Sequence, residues 1–138
     1  MAFVVDASLV AAWLLPDEKT PESEALLDRL SGEPVLAPDL IRHEIRSLIL
    51  IAVKRGRVTE EFLPWAIGRF GRLAIANAGP GDDLGVLALA KAHNLSAYDA
   101  AYLALAIERA LPLATLDTRL AQAARGETVE ILGPLATP

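Results

Sequence analysis

Two kinds of apolar pattern take turns along this chain. Short, dense apolar runs bounded by Pro, Gly or Asp read as buried strands, and between them apolar residues recur every three or four positions, as on one face of a helix. Five runs read as strands: Phe3 to Val5, Val35 to Ala37 between Pro34 and Pro38, Leu73 to Ala76, Leu113 to Leu116, and Val129 to Leu132. Strands separated by helices predict an α/β fold whose parallel sheet is covered on both faces.

The helices carry their own punctuation. The first is expected from about Ser8 to Leu15; Thr20 then offers an N-cap, Pro21 a first-turn proline and Gly32 a stop. Asp39 is expected to cap a long helix with Leu40, Ile41, Ile45, Leu48, Ile49, Ala52 and Val53 in register, closed by Lys54, Arg55 and Gly56. A further helix from Thr59 should bend or break near Pro64 and Gly68. Asn77 to Gly81 reads as a turn, Asp82 to Ala92 as a helix, and Ser96 opens a nearly all-apolar helix through Ile107. A short helix, Arg119 to Ala124, leads to the last strand. With no repeat or polar linker, the 138 residues predict a single domain, 1–138.

Charge changes the picture twice. The formal net charge of -5 argues against a polyanionic partner. Yet Arg42, Arg46, Lys54, Arg55, Arg57, Arg69 and Arg72 outnumber Glu44, Glu60 and Glu61 in the middle of the chain, which predicts a locally basic face able to meet phosphates. The absence of cysteine removes disulfides, thiolate zinc sites and thiol nucleophiles, and fits a reducing cytosol. His43 and His93 have no ligand spacing. The start, Met1 to Val5, does not resemble an export signal, and the longest apolar run, Ala100 to Ile107, is too short to span a bilayer. A soluble, cytoplasmic protein without a membrane partner is the expectation.

The candidate chemistry lies in carboxylates. Active sites of open parallel sheets form beyond the carboxyl ends of strands. Asp6 follows the first strand and Asp117 the fourth; Glu44 and Asp99 stand early in helices. Glu44 lies beside the apolar stripe of its helix, and Asp99 opens a helix that must be buried almost all round, so neither is an ordinary surface acid. Acids drawn together repel one another unless a cation joins them, and oxygen-only ligands suit Mg²⁺ or Mn²⁺. Such an ion can acidify a water and neutralise charge on a phosphodiester. Ser8 and Thr115, two residues from Asp6 and Asp117, could orient those carboxylates. Arg42 and Arg46 flank Glu44 and are the candidates for contact with a nucleic-acid backbone.

Val5-Asp6-Ala7-Ser8, Glu44, Ser96-Ala97-Tyr98-Asp99-Ala100-Ala101-Tyr102-Leu103-Ala104 and Thr115-Leu116-Asp117-Thr118-Arg119-Leu120 together resemble the successive acidic motifs of PIN domains. Their order and separation match over essentially the whole chain, and the likeness is greatest to the compact VapC-type toxins. The resemblance implies a three-layer α/β/α sandwich and a Mg²⁺- or Mn²⁺-dependent endoribonuclease cleaving RNA. It also implies a VapB-type antitoxin partner and a homodimer. One departure stands out: the family often has Asn three residues after the helical Glu, where this chain has Ser47.

Taken singly, each acid has a plainer reading. Asp6 could merely end a strand, Asp117 cap a helix, Asp99 complete the Ser-x-x-Asp pattern with Ser96, and Glu44 pair with a surface arginine. An aspartyl-phosphate phosphatase would want a second Asp where Ser8 stands, and a phosphoacceptor receiver a lysine near Asp117. A catalytically inactive PIN-like module that only binds RNA or protein remains the alternative to an enzyme.

Overall fold

The structure is a computed structural model that describes residues 1–136. Five strands, Phe3–Val5 (β1), Val35–Ala37 (β2), Ile75–Asn77 (β3), Leu113–Ala114 (β4) and Ile131–Leu132 (β5), form one sheet. Its order is β3-β2-β1-β4-β5 and every pairing is parallel, with Val4 opposite Leu36 on one side and Leu113 on the other. Phe3, Val4 and Val5 are wholly buried because β1 is central and covered on both faces. That position explains an unbroken apolar run where a half-exposed strand would alternate.

The helices Ala7–Leu14 (α1), Pro21–Arg29 (α2), Ile41–Lys54 (α3) and Phe62–Arg72 (α4) pack on one another as one layer. Asp83–His93 (α5), Ala97–Arg109 (α6) and Thr118–Gly126 (α7) form the other, giving the α/β/α sandwich. Buried side chains from β1, α1, α3, α6 and α7 share one continuous apolar core. Within it Trp13 is buried and satisfies its indole by donating to the Ser23 carbonyl at 2.7 Å.

Strand order is what makes a site possible. The chain moves outward from β1 through β2 to β3, then returns to the other side of β1 for β4 and β5. The crossovers therefore diverge beyond the carboxyl ends of β1 and β4, leaving a crevice there.

Several local expectations are corrected. α4 runs without interruption, because Pro64 lies in its first turn, where a missing N–H costs no helical bond, and Ala66 and Phe70 anchor its inner face past Gly68. Asp39 does not cap α3; its N–H is held by the Gly79 carbonyl, and the N-cap position falls to Leu40, which offers no side-chain cap. The fourth strand ends at Ala114, two residues before the apolar run does, because the Thr115 hydroxyl and the Leu116 N–H turn to side chains near Asp6. β3 and β5 begin two residues later than their apolar runs, and α6 continues past Ile107 to Arg109. The N-cap at Thr20 is present, strengthened by reciprocal bonds with Ser23.

Candidate active site

Asp6 is the buried hub. It ends β1 and caps α1, its Oδ1 accepting from the Leu9 N–H at 3.1 Å. Ser8 Oγ donates to the same oxygen at 2.7 Å, and Thr115 Oγ1 donates to Oδ2 at 2.5 Å. Each hydroxyl in turn accepts a backbone N–H from the segment after β4: Ser8 from Leu116 at 2.9 Å, Thr115 from Asp117 at 3.0 Å. Two hydroxyls thus fasten the strand-end segment that carries Asp117 to the carboxylate at the tip of β1. Despite these bonds, burial dominates and pushes Asp6 up to about 6, with Glu44 adding repulsion.

The remaining acids extend from this hub. Glu44, in the first turn of α3, is half-buried and held above the usual carboxylate range by burial, restrained by Tyr102 and raised again by Asp99. The Tyr102 hydroxyl donates to Glu44 Oε1 at 2.6 Å, and its own acidity is strongly suppressed by burial and by Glu44. Asp99 is raised by burial and then by Asp117, while Ser96 and Arg119 pull it back. Asp117 Oδ1 accepts from the N–H groups of Arg119 and Leu120 and caps α7. Asp6, Glu44, Asp99 and Asp117 thus form a chain of repelling neighbours drawn from four helix starts, whose positive dipole ends face the negative charge.

The capping readings and the clustering hold together. Asp6 and Asp117 are N-caps, and Ser96 Oγ accepts the Asp99 N–H at 3.1 Å while its hydroxyl also favours the ionised Asp99 carboxylate. Asp99 is half-buried, less enclosed than the apolar surroundings in sequence suggest, because the first turn of α6 stands at the rim while Ala100 to Leu103 enter the core. Ser47 is exposed and borders a cavity beside Glu44. Arg42 turns to the opposite flank, its guanidinium 5.5 Å from the Phe70 ring centroid, whereas Arg46 lies 3.5 Å from His43. Arg57, within the basic stretch, is engaged by Asp17 and Glu18. Sequence reasoning gave Tyr102 no role; its place three residues after Asp99, on the same helix face, was the available signal.

The donor set fits a hard divalent cation, being all oxygen and carrying mutual repulsion that positive charge removes. Among the described residues, no three acids already converge as a metal shell. The carboxylates stand as electrostatic neighbours rather than as a closed cage.

The chain belongs to the PIN domain family, whose pattern it matches over residues 3–126. Within that family it is similar to Ribonuclease VapC3 of Pyrobaculum aerophilum, with 30% identity over 125 residues, covering 88% of this chain and 94% of the relative. Its fold is shared by the crystal structure of PAE2754 from Pyrobaculum aerophilum, at a TM-score of 0.71 and 21% identity over 91% of this chain and 81% of the other. FitAcB from Neisseria gonorrhoeae superposes at a TM-score of 0.57 with 24% identity, covering 99% of this chain and 100% of the other. No helix among the described residues is long and apolar enough to cross a membrane.

Proposed function

We propose that this chain is a Mg²⁺- or Mn²⁺-dependent endoribonuclease and the toxin of a toxin–antitoxin pair, with RNA as substrate and a VapB-type antitoxin as its inhibitor. The observation that carries the catalytic reading is the run of mutually repelling acids from the buried Asp6 through Glu44 and Asp99 to Asp117, each placed at a different helix start. The relationship to Ribonuclease VapC3 supports RNA as the substrate class and the toxin assignment.

Asp6, Glu44, Asp99 and Asp117 would hold the metal. When bound, Mg²⁺ or Mn²⁺ supplies the charge that offsets the scissile phosphodiester and lowers the pKa of an attacking water. The protein groups orient and tune. Ser8 and Thr115 lock the Asp6 carboxylate from both oxygens, and Tyr102 fixes Glu44 by donating its hydroxyl proton. Such outer partners set ligand direction as much as the ligands do. Arg46, exposed on α3 close to Glu44 in sequence, adds positive charge for the RNA backbone.

Purified protein should cleave single-stranded RNA when Mg²⁺ or Mn²⁺ is added and stop when the metal is chelated. Asp6→Asn and Asp99→Asn proteins that retain their circular dichroism should lose the activity. Cleavage unchanged in both variants assigns the activity elsewhere, and a folded wild-type protein that binds RNA without cutting it favours an inactive binding module.

A further inference from the structure

Beside the acids, with Glu44 on its border, lies a cavity of about 460 Å³ whose other walls the hydrolytic reading leaves without a role. Its volume falls within the ~300–1,000 Å³ typical of small-ligand sites. Leu40, His43, Glu44, Ser47 and Leu48 form one wall, and Tyr98 stands across from them. The first five follow one another at helical spacings along α3 and so share a face of that helix. Tyr98 is the second residue of α6; it precedes the buried stretch that starts at Ala100 and is 64% exposed. The aromatic surface is thereby tethered next to Asp99, while Glu44 borders the same space.

We infer that this cavity is a nucleobase subsite, in which an unpaired RNA base stacks on Tyr98 and brings the adjoining phosphodiester to the acids. The inference rests on the nuclease reading and adds to it how the substrate is held. An exposed aromatic face accepts any base, and unpaired RNA bases are commonly recognised by such stacking. Leu40 and Leu48 supply apolar contact, while the His43 ring and Ser47 hydroxyl supply polar atoms for a base edge. Arg46, outside the lining but 3.5 Å from His43, adds positive charge on the same helix. A lining in which the exposed aromatic face of Tyr98 stands among the polar His43, Ser47 and Glu44 suits a base, with its flat faces and polar edge, better than an apolar peptide helix, which would want a continuous apolar strip.

The test compares wild type, Tyr98→Phe and Tyr98→Ala on short single-stranded RNAs carrying either a base or an abasic ribose beside the mapped cut. Tyr98→Ala should raise KM about tenfold on the base-bearing RNA with kcat retained, the effect of losing one base–aromatic stack. Tyr98→Phe should match wild type, and the penalty should vanish on the abasic RNA. Equal KM values for all three proteins on the base-bearing RNA overturn the subsite while leaving the nuclease reading intact. Fluorescence anisotropy of the same RNAs in chelator separates the two ideas from the other side. Tyr98-dependent binding by a protein that never cleaves keeps the subsite and removes the nuclease reading. Loss of a bound protein partner in Tyr98→Ala, with RNA affinity unchanged, assigns the cavity to a peptide and overturns the inference.

Discussion

Asp6 concentrates the electrostatic tension of the site into one residue. Its carboxyl is raised from 3.8 to about 6 because burial outweighs three hydrogen bonds. A raised pKa means that the folded protein binds this proton more tightly than the unfolded chain, so the contribution of Asp6 to metal-free stability is fully present below about pH 4 and is lost as pH rises through about 6. The shift corresponds to about 3 kcal/mol at neutral pH. In chelator, Asp6→Asn should therefore melt several degrees above wild type at neutral pH, and the gap should close near pH 4, as followed by circular dichroism. A less stable Asn variant at neutral pH means that the hydrogen bonds outweigh burial. Tyr102 makes a different prediction, because it touches a candidate ligand rather than being one. Tyr102→Phe removes the 2.6 Å bond to Glu44 and should lower metal affinity or kcat by roughly 10- to 100-fold with the fold retained. Isothermal titration with Mn²⁺ and single-turnover cleavage read the two effects separately.

Among the elements, the segment leaving β4 matters most. An apolar run continues through Leu116, yet the ladder stops at Ala114 because Thr115 has better use for its hydroxyl. Thr115 is fully buried, donating to Asp6 and accepting from the Asp117 N–H, so its side chain joins β1 to the start of α7. Thr115→Val preserves shape but leaves a part-buried N–H and a buried carboxylate oxygen each short of a partner, a loss of about 1–3 kcal/mol in denaturant unfolding. Thr115→Ser should restore most of it, since the bonds need only the hydroxyl. A Val variant as stable as wild type shows that water or a rearranged loop satisfies both groups. α4 teaches the converse lesson: Pro64 and Gly68 looked disruptive in sequence, but first-turn placement and buried Ala66 and Phe70 keep the helix whole.

At the scale of the whole molecule, cation binding and pH should be linked. Asp6, Glu44 and Asp99 all hold protons more tightly than free carboxyls do, so protons compete with a metal up to about pH 6. Mg²⁺ should raise the melting temperature at neutral pH and lose that effect as pH falls below about 6, with saturating metal adding about 2.7 kcal/mol at a hundredfold excess over Kd. Scanning fluorimetry across pH measures it, and a metal-dependent shift that persists in Asp6→Asn places the cation elsewhere.

The linear order of residues by itself determined the alternation of strands and helices, and with it the parallel sheet, because burial on both faces demands dense apolar runs and amphipathic helices announce their period locally. It also marked Asp6 and Asp117 as strand-end acids and Glu44 and Asp99 as acids out of keeping with their apolar surroundings. Only the tertiary structure decided that β4 returns beside β1 and that Tyr102 reaches Glu44 across 58 positions. It alone made Ser8 and Thr115 two clasps on one carboxylate and stood Tyr98 across a cavity from α3. Periodicity is a property of neighbours along the chain, whereas repulsion, desolvation and hydrogen bonding between distant residues come into being when the sheet closes its strand order.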